Sequence, residues 1–368
     1  MQTTLQSGLA AGMSATEGYH ADAPTPVDPS FDGTKALLPP SYVPSKKTRV
    51  TLRGKNGDIE APCINIGAWS WGDKASWQWS EDQMPGLIEA WKILSGHGLT
   101  WIDTAQAYGS GESERITGEL IRSLPRDEVI IQTKWYVVPL TAKNLLSPTH
   151  APTKYLKESL ERLGLDYVDS YLVHGHIHAS TLTQVAKGLA ECVELGLTKT
   201  VGVANYSAKD MLELAEELAK YGIPLATNQC EYSVLRRYPE THGLLQACKD
   251  NNIVFQSYSS LAQGRLTGKY GPDNPAPSTH RFSSYDPKDI EPTVKVLEDI
   301  GKPKGKSPSA VALNYNMSKG VVPTVGVRAA KHAEDFVAAL DWRLTVDEIK
   351  RLDAVSMDGK ETLLWQQG

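Results

Sequence analysis

Tyr155-Leu156-Lys157-Glu158-Ser159-Leu160-Glu161-Arg162-Leu163-Gly164-Leu165-Asp166-Tyr167-Val168-Asp169-Ser170-Tyr171-Leu172-Val173-His174 carries the pattern that decides the architecture of this chain. Its first half sets Tyr155, Leu156, Leu160 and Leu163 at helical spacing, and its second half runs into the apolar strand Tyr171-Leu172-Val173. An amphipathic helix beside a strand without polar alternation is the unit of a parallel sheet covered by helices. The unit recurs along the chain. Further strands are predicted at 64–66, 100–102, 129–131, 201–203, 225–227, 253–255 and 321–323, and Met211, Leu212, Leu214, Ala215 and Leu218 mark another helix. About eight strands predict a closed (β/α)8 TIM barrel with long loops at its C-terminal face, rather than an open doubly wound sheet.

The strand–helix junctions contain no G-x-G-x-x-G, which disfavours a Rossmann site, and no G-x-x-x-x-G-K-[ST] phosphate loop. Charge is nearly balanced, 38 basic against 43 acidic residues, so a nucleic-acid partner is not expected. No run of about 18 apolar residues suggests a membrane span. The four cysteines, Cys63, Cys192, Cys230 and Cys248, lie too far apart for a zinc or disulfide framework and fit buried thiols in a reducing compartment. Residues 1–45 are rich in Pro, Ser, Thr and Ala and read as an irregular extension, with the barrel at 46–368. Acids at 17, 22, 28 and 32 argue against a transit peptide. A cytoplasmic monomer or weak homo-oligomer is expected, with a plastid as the alternative location.

In such a barrel the chemistry lies at the C-terminal ends of the strands. Asp103 ends one predicted strand, with Tyr108 five positions later; Lys134 and His174 end the next two. Singly, each reads as a cap, a rim residue, a solvated tip or a structural histidine. Together they make a general acid–base centre. An ammonium beside a phenol favours the phenolate, a carboxylate holds the ammonium, and an imidazole orients a carbonyl oxygen. None of the four can supply hydride, so a cofactor is required.

Several motifs resemble the aldo-keto reductase superfamily: Asp103-Thr104-Ala105…Tyr108-Gly109…Glu114, Thr133-Lys134, Gly202-Val203-Ala204-Asn205, Asn228-Gln229, Ser257-Tyr258-Ser259-Ser260-Leu261 and Leu266-Thr267-Gly268-Lys269. The likeness runs in order from about Gly67 to Asp335, and Gly67–Asp73 resembles the plant and cyanobacterial branch. It implies carbonyl reduction on a small-molecule substrate with NADPH/NADP+ as cofactor. Tyr108 would donate the proton, Lys134 and Asp103 would tune it, and His174 would orient the substrate. Asn205 and Gln229 would hold the nicotinamide carboxamide, and Tyr258 would stack on its ring. Ser259, Leu261, Gly264 and Leu266 would cover the pyrophosphate, and Gly326, Arg328, His332 and Asp335 would approach the adenosine. A guanidinium at Arg328 suits a 2′-phosphate, which favours NADPH over NADH. Trp69, Trp71, Trp135 and Tyr136 are expected to wall the substrate pocket.

The chain departs from the family pattern at Gly175, where a bulky aromatic is common, at Ala204, where a hydroxyl is usual, and at Ser260, which replaces a proline. Two rival readings attach to other features. The alternation His174-Gly175-His176-Ile177-His178 would suit a metal-dependent barrel hydrolase if it continued a strand, though no further His and Asp set completes such a site. A cofactor-binding regulatory subunit would use residues 1–45 as its arm. The complete proton-transfer set favours an enzyme without a metal.

Overall fold

In the computed structural model, which describes residues 25–137, 141–280 and 282–359, eight parallel strands close into a barrel. A hairpin of β1 (Arg49–Leu52) and β2 (Ile59–Pro62) precedes it. The barrel strands are β3 (Asn65–Gly67), β4 (Trp101–Asp103), β5 (Ile130–Trp135), β6 (Val168–Val173), β7 (Thr198–Ala204), β8 (Leu225–Glu231), β9 (Val254–Tyr258) and β10 (Val322–Gly326). They neighbour one another in sequence order, and β10 pairs with both β9 and β3 to close the ring. Each predicted strand coincides with or overlaps one of these. The hairpin was not foreseen, and it has a clear task. Leu52 and Ala61 pack with Trp101, Ala226 and Val322 at the N-terminal end, a plug that fills that end of the barrel.

The helices form because their apolar positions recur every three or four residues and their ends are capped. In Ala151–Leu163 the buried face includes Tyr155, Leu156, Ser159, Leu160 and Leu163, and Gly164 stops the helix in a left-handed conformation at φ 66°. Thr181 and Gln184 cap Leu182–Glu194 reciprocally, and the Ser207 hydroxyl accepts from Asp210 N before Ala208–Ala219. Each fully buried Leu or Val stabilises the shell by about 1.5–3 kcal/mol. Among the described residues no helix is long and apolar enough to cross a membrane.

Residues 1–24 of the expected extension lie outside the described residues. Residues 25–48 run along the barrel and are held by specific bonds. Leu38 N donates to Ser318 O at 3.0 Å and Asp341 N to Pro44 O at 2.8 Å. The Arg343 guanidinium donates to the carbonyls of Leu38, Pro39 and Tyr42.

Candidate active site

Asp103 is the last residue of β4, Lys134 the penultimate residue of β5, and His174 the first residue beyond β6. Tyr108 enters from a turn in which Gly109, Ser110 and Gly111 all have positive φ. Only glycine fits at 109, because a Cβ there would lie 2.8 Å from the Gly72 backbone. Lys134 Nζ sits 2.7 Å from Asp103 Oδ2, 3.0 Å from the Thr104 carbonyl and 3.1 Å from Tyr108 Oη. The His174 ring meets the Tyr108 ring edge to face with centroids 5.5 Å apart. The four side chains named from sequence therefore converge.

Burial governs their titration. It pulls the Lys134 ammonium below its ordinary pKa, with Asp103 and Glu114 opposing. Burial, and then the Lys134 charge, hold His174 well below the usual imidazole range, so the ring is neutral at physiological pH. The phenol departs from expectation. Burial first and Asp103 second push Tyr108 well above its ordinary pKa. The lysine was expected to lower it, but Lys134 lies against a carboxylate, and the pair is too nearly neutral to overcome desolvation.

A cavity of about 1930 Å³ extends from this group across the barrel mouth. Asn205, Gln229, Tyr258, Ser259, Leu261 and Gly264 line it, as do Gly326, Arg328, His332 and Asp335. Asn205 adopts φ 63°, a left-handed conformation that asparagine tolerates. Its amide donates to the His174 carbonyl at 3.4 Å and accepts from Tyr258 Oη at 2.9 Å. Beyond β9, Ser259, Ala262, Gln263 and Gly264 all take positive φ, folding this segment into a tight turn at the cavity edge. Leu266 is a correction: it is buried in the apolar core and does not line the cavity. Arg328 Nη1 donates to the Trp77 carbonyl at 3.0 Å, tying the last strand–helix loop to the segment after β3.

Trp69 and Tyr136 line the cavity, whereas Trp71 and Trp135 do not. Trp71 N donates to Ala68 O in a turn that reverses the chain, and its indole, buried among Leu87, Trp91 and Leu94, donates to Val327 O at 2.7 Å. Trp135 follows Lys134 on β5, so strand alternation sends it to the outer face, where its indole donates to Asn144 Oδ1. Trp77 and Phe282 take their places; Trp69 packs against both, with centroids 5.5 and 6.0 Å away. Nothing in their local sequence marked them. Sequence reasoning also passed over Asn65, Gln132 and Gln256, primary amides inside strands read only as apolar.

The histidine alternation is not a continued strand, because β6 ends at Val173. His178 turns away to Tyr206 Oη at 2.9 Å and the Ser180 carbonyl. Among the described residues no three His, Cys, Asp or Glu side chains are placed to hold a metal ion.

A family model described as "Aldo/keto reductase family" matches residues 63–357. The chain is similar to pyridoxal reductase, chloroplastic, of Arabidopsis thaliana, at 29% identity covering 90% of this chain and 91% of that one. It is 30% identical to aldo-keto reductase YhdN of Bacillus subtilis (strain 168), with 81% and 90% covered. Among solved structures, the thermostable aldo-keto reductase Tm1743 superposes with a TM-score of 0.67 at 26% identity, covering 83% of this chain and all of that one. An aldo/keto reductase from Klebsiella pneumoniae, in complex with NADP and acetate, gives 0.65 at 25%, covering 84% and 95%.

Proposed function

The chain belongs to the aldo/keto reductase family, and from that premise we propose that it reduces an aldehyde or ketone to the alcohol with NADPH, taking the proton from Tyr108. The observation that carries this reading is Tyr108 Oη at 3.1 Å from a buried Lys134 that is itself 2.7 Å from Asp103.

The residues present fit a nicotinamide dinucleotide. The side chains of Asn205, Gln229, Tyr258 and Arg328 and the tight turn after β9 all line one cavity. Asn205 and Gln229 would hold the carboxamide and Arg328 the 2′-phosphate. When bound, this cofactor supplies the hydride. The chain's own residues do the rest. Neutral His174 donates a hydrogen bond to the carbonyl oxygen without competing as an acid. Tyr108, held protonated by burial, surrenders its proton only to a developing alkoxide, a far stronger base than phenolate. The Lys134 ammonium then stabilises the phenolate, and Asp103 keeps that ammonium in place. Trp69, Trp77, Tyr136 and Phe282 give the substrate an aromatic surround suited to hydrophobic carbonyl compounds.

NADPH consumption with a panel of aldehydes and ketones tests the proposal. The unaltered chain is expected to turn over and Tyr108→Phe is not, while both bind NADPH. Equal turnover by the two would remove Tyr108 as the acid.

A further inference from the structure

The interior of a (β/α)8 barrel is ordinarily packed with branched apolar side chains. Beneath this site it holds amides instead, each buried, and a buried amide is costly unless bonded. Gln132 and Gln256, 124 positions apart, exchange two bonds: each Nε2 donates to the other's Oε1 at 2.9 Å. Gln132 Nε2 also donates to Asp103 Oδ1 at 2.6 Å, and Gln256 Nε2 donates to Thr227 Oγ1 at 2.9 Å. Gln256 Oε1 accepts further from Asn65 Nδ2 at 3.0 Å and Gln229 Nε2 at 3.1 Å.

This chain has a direction. A carboxylate only accepts, so Gln132 must turn its NH2 to Asp103 and its carbonyl to Gln256. At the other end the Thr227 hydroxyl spends its proton on the Val254 carbonyl at 2.6 Å and offers Gln256 only lone pairs. Both ends demand the same orientation of Gln256, with its oxygen towards Gln229. Gln229 answers with Nε2, whose second proton lies towards Thr324 Oγ1 at 3.5 Å, and keeps Oε1 for the cavity.

We propose that Gln256, supported by Gln132, is a positioning residue that fixes which end of the Gln229 amide faces the cofactor, so that the site presents a carbonyl acceptor and selects an NH2 donor. This rests on the reading above that Gln229 meets the nicotinamide carboxamide. Gln132 adds a second role: its bond to Asp103 Oδ1 leaves Oδ2 for Lys134, joining the proton-donating group and the cofactor cradle in one network.

The test compares NADP+ with its acetylpyridine analogue, in which a methyl group replaces the carboxamide NH2, by quenching of tryptophan fluorescence in the full-length protein. The unaltered chain is expected to prefer NADP+ by about fivefold or more, the scale of one hydrogen bond. In Gln256→Met the preference falls below about twofold, because affinity for NADP+ drops while that for the analogue is kept. Gln132→Met, which leaves the Thr227 constraint in place, keeps the preference and lowers kcat severalfold. Should Gln256→Met not fold, Gln256→Glu serves with the opposite expectation: a carboxylate only accepts, so it still holds the Gln229 NH2 and the preference is kept. Undiminished preference in folded Gln256→Met, or a lost preference in Gln256→Glu, overturns the proposal. Because the Gln256 comparison reads binding alone, failure of Tyr108 as the acid leaves it standing; failure of the unaltered chain to bind NADP+ removes the cofactor reading and the positioning role together.

Discussion

Replacing Asp103 with Asn keeps the side chain's volume and removes its charge. Lys134 and Asp103 are both at most 1% exposed, and the pair they form at 2.7 Å is dry. Breaking a buried pair by deleting one partner costs about 3–5 kcal/mol, because the remaining ion stays desolvated. A chain of 368 residues has an unfolding entropy of roughly 0.8 kcal/mol/K, so the melting temperature is expected to fall by about 4–6 °C at neutral pH. The deficit carries a sign. Burial lowers the folded-state pKa of Lys134 and the variant loses the largest opposing charge, so the unfolded chain binds that proton more tightly. The cost is full below the folded-state pKa and disappears as pH rises towards the unfolded value near about 10.4. Calorimetric or circular-dichroism melts of both proteins at about pH 7 and about pH 9.5 check this, with a smaller gap expected at the higher pH. Replacing both partners by apolar residues, Asp103→Leu with Lys134→Met, should cost less than Asp103→Asn alone. A shift under about 1 °C at pH 7, or an equal gap at both pH values, would refute the argument that the pair is dry and mutually dependent.

Tyr108→Phe should lower kcat for carbonyl reduction by about 10²-fold or more, with the Kd for NADPH changed less than about twofold in fluorescence titration. Arg328→Ala should weaken NADPH by about 1.5–3 kcal/mol and leave NADH almost unchanged, read from the two dissociation constants. Because His174 is held well below the ordinary imidazole range, kcat/KM for reduction should be flat between about pH 6 and 8; a limb centred near about 6.5 would show that His174 titrates in the working enzyme. Removing residues 1–45 takes away the carbonyls that satisfy Arg343, and a lower melting temperature is expected in a thermal scan.

The barrel and the polar residues at its strand ends were legible in the linear sequence, because both are written in short-range terms. The helical spacing of Tyr155, Leu156, Leu160 and Leu163 and the apolar run Tyr171–Val173 need no knowledge of distant neighbours. Once the strands are placed, parallel register alone brings Asp103, Lys134 and His174 to one end. The hairpin plug, the substitution of Trp77 and Phe282 for Trp71 and Trp135 in the cavity wall, and the burial of Leu266 were decided by tertiary packing. So was the direction of the Tyr108 pKa, which depends on how much water the assembled mouth excludes and on how completely Asp103 offsets Lys134. The amide network belongs with these: Gln132 and Gln256 are ordinary polar residues until barrel closure sets them face to face. Local periodicity encodes which element forms and which face is apolar, whereas desolvation and hydrogen-bond direction are properties of groups that meet only when the ring closes.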